Sequence, residues 1–162
     1  MIADQTEQLH ALELFRRGYD AQMRGALDEA QALYRASIEA FPTAEAHTFL
    51  GWAYGGAGRF EEAIDECKRA IAIDPDFGNP YNDAGAYLIE LGRLDEAIPF
   101  LESATRARRY GSRAFPHFNL GRIFIKKGQF VRARRHFADA LQAHPDYAPA
   151  AQAVAALDSH LQ

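Results

Sequence analysis

The 162-residue sequence predicts an all-α solenoid, in which about nine helices pair in antiparallel fashion and stack side by side. The main observation is a repeat of about 34 residues that is visible in the glycines. Four glycines are each followed seven residues later by a second glycine and twelve residues later by an alanine. The composition, 48% hydrophobic and 25% charged, is that of an ordinary globular protein. The first glycines of the four copies are Gly18, Gly51, Gly85 and Gly121.

The second copy shows how one unit is expected to fold. Residues 45–57 contain no proline and carry apolar residues at helical spacing, and Gly58 can supply the left-handed C-cap conformation. A second helix follows, with acidic residues in its first turn, and ends at Pro75. Gly51 and Ala63 fall where the two helices should cross. Small side chains at both positions would let the backbones approach closely, whereas a bulky replacement would overpack the crossing.

The four copies resemble the tetratricopeptide repeat family, whose pattern is an aromatic residue, Leu-Gly, Tyr, Ala, an aromatic residue and a closing Pro. Copies two and four fit best, while copies one and three diverge more and copy three lacks the proline. The resemblance covers residues 11–147 and implies a right-handed superhelix with a concave peptide-binding face. The matching residues are Leu50, Gly51, Tyr54, Ala63 and Pro75 in copy two, and Leu120, Gly121, Phe124, Ala133, Phe137 and Pro145 in copy four.

The repeat register divides the chain into six segments. Residues 1–10 are expected to extend the first helix backward. Residues 148–162 are expected to form a capping helix, because a stack of repeats leaves its last apolar face open. The four repeats lie between these segments, and a two-residue insertion falls in the third. The predicted repeat boundaries are 11–43, 44–77, 78–113 and 114–147.

Charge is distributed unevenly, and the hydropathy pattern excludes a membrane-spanning helix. Residues 1–105 carry a net charge of −11 and residues 106–162 carry +7, which together give the overall −4. No apolar run approaches the roughly 18 to 20 residues of a membrane helix, and the N-terminus lacks the order of a secretory signal. Cys67 is the only cysteine, so no internal disulfide can form. A cytoplasmic location is therefore expected.

No motif indicates catalysis or a cofactor. The six histidines show no i, i+4 pairing and no nearby acid in a zinc-enzyme spacing, so no metal site is expected. His47 and His117 occupy the aromatic packing position of the repeat, and Cys67 lies on an apolar helical face. Phosphate-binding loops and nucleophile elbows are absent from the sequence. The prediction is a protein that is not an enzyme and needs no cofactor.

A second stripe lies about 120° from the core stripe on the first helix of each repeat. The resemblance implies that this stripe lines the concave groove and binds a peptide segment of a partner protein. Trp52 is the strongest single candidate, since exposed apolar surface marks interaction sites. The alternative is that the aromatic residues only pack against the neighbouring repeat. The candidate groove residues are Phe15, Tyr19, Trp52, Asn82, Asp83, Ile89, Phe115, Phe118, Asn119, Arg122, Ile125 and Lys126.

Some members of the resembled family clamp the C-terminal carboxylate of chaperone tails with lysine, asparagine and arginine side chains. Only one of the matching positions in this sequence holds a suitable residue type, and Asp83 would repel a carboxylate. That ligand is therefore disfavoured. The matching positions hold Phe15, Tyr19, Phe49, Asn79 and Asp83.

An arginine cluster brackets the insertion in the third repeat. An acidic protein segment could dock there, nucleic acid or an anionic surface could bind, or the charge could simply be solvated. Nucleic acid is the less favoured partner. Head-to-tail pairing of the basic end with the acidic half of a second chain is a further alternative, so the oligomeric state stays open. The predicted basic patch consists of Arg106, Arg108, Arg109 and Arg113.

Overall fold

The structure, a computed structural model, describes residues 1–160, with Ile2 and Ala3 described by their backbone alone. Over this range the chain forms nine α-helices and no β-strand, which confirms the predicted all-α fold. The last two residues of the predicted capping segment, 161–162, lie outside the described range. The helices are α1 (Ile2–Met23), α2 (Leu27–Ala40), α3 (Ala44–Gly56), α4 (Phe60–Ile73), α5 (Asn79–Glu90), α6 (Leu94–Arg106), α7 (Ala114–Lys126), α8 (Phe130–Ala143) and α9 (Ala148–His160).

Each helix packs on the next along the chain, and the pairs stack into a right-handed solenoid. The odd-numbered helices also contact one another, α1 with α3, α3 with α5, and α5 with α7. These four helices form the concave face, and α2, α4, α6 and α8 form the outer layer. Helix α9 packs on α8 and covers the end of the stack. No described helix combines the length and the apolar character that crossing a bilayer requires.

Left-handed glycines turn the chain between the two helices of every repeat. Gly25, Gly58, Gly92 and Gly128 have φ values of 69° to 77°, a region that disfavours residues with a Cβ. In the second repeat the backbone N–H of Arg59 then donates to the carbonyl of Tyr54, at 2.9 Å. This hydrogen bond closes the end of α3 as expected for a glycine-terminated helix.

The first glycine of each repeat lies where the two helices cross. A Cβ added at Gly85 would lie 2.4 Å from Leu101, and one added at Gly121 would lie 2.4 Å from Phe137. Real Cβ atoms do not make contacts this short, so only glycine fits without displacing the partner side chain. The register alanines on the second helices, such as Ala63, are fully buried. Small residues at the crossing therefore set the spacing within each helix pair.

The connection between α6 and α7, residues 107–113, is fastened to the turn before α5. The backbone N–H of Arg109 donates to the Asp76 carbonyl at 2.9 Å, and the N–H of Gly78 donates to the Arg109 carbonyl at 3.1 Å. Tyr110 packs so closely over Gly78 that a Cβ there would meet it at 2.3 Å. Arg113 donates to two carbonyls at the end of α6, each at 2.7 Å. This connection therefore forms a fixed wall beside the concave face.

Candidate functional site

The concave face holds a cleft of about 340 Å³ between α3, α5 and the α6–α7 connection. Aromatic side chains stand at its rim, where Trp52 of α3 and Phe115 of α7 are each 44% exposed. Half-buried polar side chains, Asn82 and Asp83 of α5, lie deeper. An apolar rim combined with a few polar groups is typical of a ligand site. The cleft is lined by Thr48, Phe49, Trp52, Asn79, Asn82, Asp83, Tyr110, Ser112 and Phe115.

A row of aromatic rings runs from α1 to the cleft. The ring centroid of Phe49 lies 5.1 Å from Phe15, 5.8 Å from Tyr19 and 5.5 Å from Trp52, and all three contacts are edge-on. Phe15 is half-buried, whereas Tyr19 and Trp52 remain exposed. The rings thus pack across neighbouring repeats, as the alternative interpretation expected. They also leave an apolar surface on the concave face, where it can contact a ligand.

Asp83 is the acidic group of the cleft. It accepts a hydrogen bond from the neighbouring Asn82, but burial dominates and raises the pKa of its carboxyl to about 7. No arginine or lysine of the described chain contributes to this shift. A partly enclosed carboxyl without a positive partner, placed in a cleft, is a candidate for binding a ligand that supplies the missing charge.

A polar line continues from the cleft along the concave face. Asn119 Nδ2 donates to Asn82 Oδ1 at 3.0 Å, and Arg122 Nη1 donates to Asn119 Oδ1 at 3.1 Å. Arg122 also lies 3.5 Å from Glu90. The structure therefore brings Asn82, Asn119 and Arg122 together, although Asn119 itself is only 8% exposed. Their remaining hydrogen-bonding capacity points to contacts with a ligand backbone.

Two of the predicted groove residues pack inside the solenoid. Ile89 is 4% exposed and belongs to a core cluster with Leu120 and Ile123, so its prediction as a groove residue is wrong. The cause is the stacking of α5 on α7, which covers this end of the stripe. Phe118 is half-buried, with its ring centroid 5.3 Å from Phe137 and 5.4 Å from Tyr147. It joins the fourth repeat to α9 and does not line the cleft.

Ile125 and Lys126 lie at the C-terminal end of α7, away from the cleft. Both are exposed. Ile125 lines a separate apolar cavity of about 430 Å³ between α7, α8 and α9. The predicted groove therefore does not form one continuous site, and Trp52, Asn82, Asp83 and Phe115 are the predicted residues that line its central cleft.

Two arginines of the predicted basic patch, Arg109 and Arg113, form contacts within the chain. Arg109 lies 2.9 Å from Glu45 and 2.6 Å from Asp74, and its guanidinium stacks 4.2 Å above the Phe77 ring. Arg113 donates to backbone carbonyls. These contacts fasten the α6–α7 connection and reduce the charge that Arg109 and Arg113 can offer to a partner. Arg106, Arg108 and Arg109 of the patch are exposed, and of these Arg109 is paired with Glu45 and Asp74.

The remaining histidine and cysteine predictions concern buried positions in the helix pairs. His47 is 8% exposed, and its Nδ1 lies 2.6 Å from Glu66 Oε2. Cys67 is fully buried, and burial raises the pKa of its thiol, which makes it a poor nucleophile. Outside the cleft, α7 and α8 bring together three possible metal ligands, His117, His136 and Asp139.

Sequence reasoning missed the part that two aromatic residues play in the cleft. Phe49 lies about 90° beyond the groove stripe of α3, on the side away from the core stripe, so helical periodicity assigned it to neither. Tyr110 lies in the α6–α7 connection, whose path the repeat register does not determine. In the structure Tyr110 is 9% exposed and forms a wall of the cleft.

Family models of the tetratricopeptide repeat match residues 15–76, 56–114 and 114–147. The chain belongs to the tetratricopeptide repeat family. The type IV pilus assembly protein PilF of Pseudomonas aeruginosa is 27% identical over 120 residues, which cover 74% of this chain and 48% of PilF. The chain thus spans about half the length of this relative.

Solved structures of tetratricopeptide repeat proteins superpose closely on the chain. PilF from P. aeruginosa gives a TM-score of 0.87 at 24% identity, over 94% of this chain and 69% of that one. YrrB, a repeat protein with an unusual peptide-binding site, gives 0.71 at 20% identity, over 93% and 77%. The second repeat domain of Spaghetti (RPAP3), bound to the HSP90 peptide SRMEEVD, gives 0.63 at 26% identity, over 66% and 99%.

Proposed function

We propose that this chain is a non-catalytic interaction scaffold, an adaptor that binds a peptide segment of a partner protein in its concave groove. The supporting observation is the cleft between α3, α5 and the α6–α7 connection, which combines exposed aromatic rings with polar side chains. Two structural relatives, YrrB and the RPAP3 domain, are described as peptide-binding. The proposal extends peptide binding to this chain but not the particular ligand of either relative.

The arrangement of the cleft favours an extended segment with an apolar residue next to a basic one. Trp52 and Phe115 offer exposed ring surface for the apolar side chain. Asp83 lacks a positive partner and would form an ion pair with a lysine or arginine, which Trp52 can also face through cation–π contact. Asn82 and Asn79 can hydrogen-bond the ligand backbone. An acidic segment, which the basic end of the sequence suggested, fits this cleft poorly.

The test is affinity capture from a cell lysate with three baits. Wild type and Arg106→Glu/Arg108→Glu should retain the same partner protein, and Trp52→Glu should lose it. All three baits first have to show equal helical content and equal Tm. Retention of the partner by Trp52→Glu would remove the cleft as the binding site. Loss with the arginine variant alone would place binding at the basic end.

Synthetic peptides from the captured partner then test the role of Asp83. Because a raised pKa leaves the carboxyl partly protonated near neutral pH, affinity for a lysine-containing peptide should increase as the pH rises through about 7. Asp83→Asn should bind this peptide about tenfold more weakly at pH 8, a loss of one charge-assisted contact, and should show no such pH dependence. Equal affinity of both proteins at pH 8 would exclude an ion pair with Asp83.

A second candidate function rests on Arg106 and Arg108, which are exposed at the end of α6 and in the α6–α7 connection. These arginines could bind nucleic acid or an anionic surface, and affinity would then decrease steeply with salt. The internal contacts of Arg109 and Arg113 reduce the positive charge available for this function. A homo-oligomeric scaffold is the remaining alternative. The cytoplasmic location stays a prediction.

A further inference from the structure

Two histidines and a carboxylate cluster on the fourth repeat. His117 belongs to α7, and His136 and Asp139 lie three residues apart on α8, so the latter two share one helix face. One ligand atom from each of the three side chains lies within 4.8 Å of the other two. All three side chains are half-buried. The cluster bridges the two helices of one repeat and lies apart from the cleft.

At the positions equivalent to this cluster, the second repeat carries a different set of side chains, which pair with one another. The equivalent residues of the second repeat are His47, Glu66 and Arg69. There, His47 Nδ1 is paired with Glu66 Oε2 at 2.6 Å, and Arg69 pairs with the same carboxylate. The first and third repeats fill the two facing positions with uncharged, largely apolar side chains. The pairs are Leu14 with Leu33 and Tyr81 with Phe100.

In the fourth repeat one nitrogen of each imidazole, Nδ1, is buried without a hydrogen-bond partner in the described chain. The Nδ1 atoms of His117 and His136 are both buried, and neither forms a hydrogen bond within the described chain. Protein interiors normally satisfy such atoms with protein groups, bound water or an ion, so two neighbouring unsatisfied nitrogens are candidate metal ligands. The His136 ring is held in place by stacking on Phe124, with centroids 5.1 Å apart and an interplanar angle of 10°. A fixed ring orientation favours metal coordination.

The charges around the cluster set the protonation of the two imidazoles. Burial lowers the pKa of both His117 and His136, since it disfavours the charged form. Nearby arginines lower these pKa values further, whereas the negative charge of Asp139 raises them. A lowered pKa favours the neutral imidazole, which is the form that binds metals. The arginines that face the cluster are Arg113, Arg132 and Arg135.

We infer that His117, His136 and Asp139 bind one divalent transition-metal ion of the zinc class, which links α7 to α8. Imidazole and carboxylate are zinc ligands, and Co²⁺ and Ni²⁺ accept the same set. Tetrahedral zinc with bonds of about 2.1 Å holds its ligand atoms about 3.4 Å apart, so small side-chain rotations would close the cluster. Mg²⁺ and Ca²⁺ prefer oxygen ligands and are excluded. Three protein ligands leave one position for water or a partner's donor atom.

The test uses the chain without an affinity tag, titrated with Co²⁺ and Zn²⁺. Calorimetry should show one ion per chain, Co²⁺ should develop the visible absorption of a tetrahedral site, and Zn²⁺ should raise Tm. Binding should weaken as the pH falls, because protons compete with the metal ion for the imidazole nitrogens. Mg²⁺ should not compete. Absence of saturable binding at millimolar Co²⁺ would overturn the inference.

The second repeat supplies the matched variant. His136→Glu with Asp139→Arg reproduces the residues that surround His47, so the helix pair should stay folded. It should bind Co²⁺ at least about tenfold more weakly, a loss that even supporting residues of metal sites produce. Asp139→Asn should weaken binding with the fold unchanged. His10→Ala/His144→Ala, which removes exposed histidines, should bind like wild type. Unchanged binding by the His136→Glu/Asp139→Arg protein would show that the ion binds elsewhere.

Discussion

Asp83 is the residue whose burial most directly opposes its charge. Its pKa is raised from 3.8 to about 7, so the folded chain prefers the protonated carboxyl. The contribution of Asp83 to the free energy of unfolding is therefore fully present below about pH 4 and is lost as the pH rises through about 7. Asp83→Asn should be more stable than wild type at pH 8, by up to about 4 kcal/mol, and equal to it near pH 4.

Urea unfolding at pH 4 and pH 8 measures this difference. Asp65→Asn, on the exposed side of α4, is the matched control and should follow wild type at both values. A stability of Asp83→Asn that tracks wild type across the whole range would mean that the carboxyl is solvated. The Asp83 carboxylate would then bind a basic side chain of a ligand more weakly.

Side-chain exposure was only partly predictable at the residue scale. Helical periodicity places Trp52 and Asn82 on the second stripe of their helices, since stripe positions follow from 100° per residue, and in the structure both line the cleft. The same rule failed for Ile89, since it describes one helix and contains no information about how α7 covers the end of α5. It also could not show that His117 and His136 face each other, because the two residues belong to different helices.

The helix pairs depend on the absence of a side chain at the crossing glycines. Gly121→Val should destabilise the fold by about 3 kcal/mol, because a Cβ at this position already meets the Phe137 ring at 2.4 Å. Gly111→Val is the matched control, since no atom lies within 4 Å of a Cβ there, and it should change stability by less than about 0.5 kcal/mol. Chemical denaturation gives both values. A loss of stability in Gly121→Val as small as that in Gly111→Val would show that the crossing tolerates a wider spacing.

The element boundaries follow from local chemistry, which explains why they could be predicted. A left-handed glycine after each first helix and a recurring alanine fix the helix pairs without reference to distant residues. No comparable local pattern in the sequence determines the path of the α6–α7 connection. Its path depends on Arg109 reaching Glu45 and Asp74 and on Tyr110 covering Gly78, which are contacts between segments far apart in sequence. One wall of the cleft was therefore not foreseeable.

Across the whole molecule, cations of later repeats pair with anions of earlier ones. Arg93 lies 2.8 Å from Glu61, and Lys127 lies 2.6 Å from Asp95. Arg109 joins the α6–α7 connection to the second repeat in the same direction. Part of the asymmetry between the acidic first 105 residues and the basic remainder is thus neutralised between adjacent repeats within one chain. This pairing leaves less charge to drive head-to-tail association.

The salt dependence of stability distinguishes charge pairing within one chain from charge pairing between separate chains. If the pairs act within the chain, raising NaCl from low concentration to about 1 M should lower Tm by a few degrees and leave the sedimentation coefficient unchanged, because salt screens exposed pairs. Glu61→Gln removes one partner of Arg93 and should reduce the salt effect, whereas Glu7→Gln, exposed near the N-terminus, should not. A sedimentation coefficient that decreases with salt would instead indicate that opposite charges join separate chains, and the solenoid would then act as an assembling scaffold.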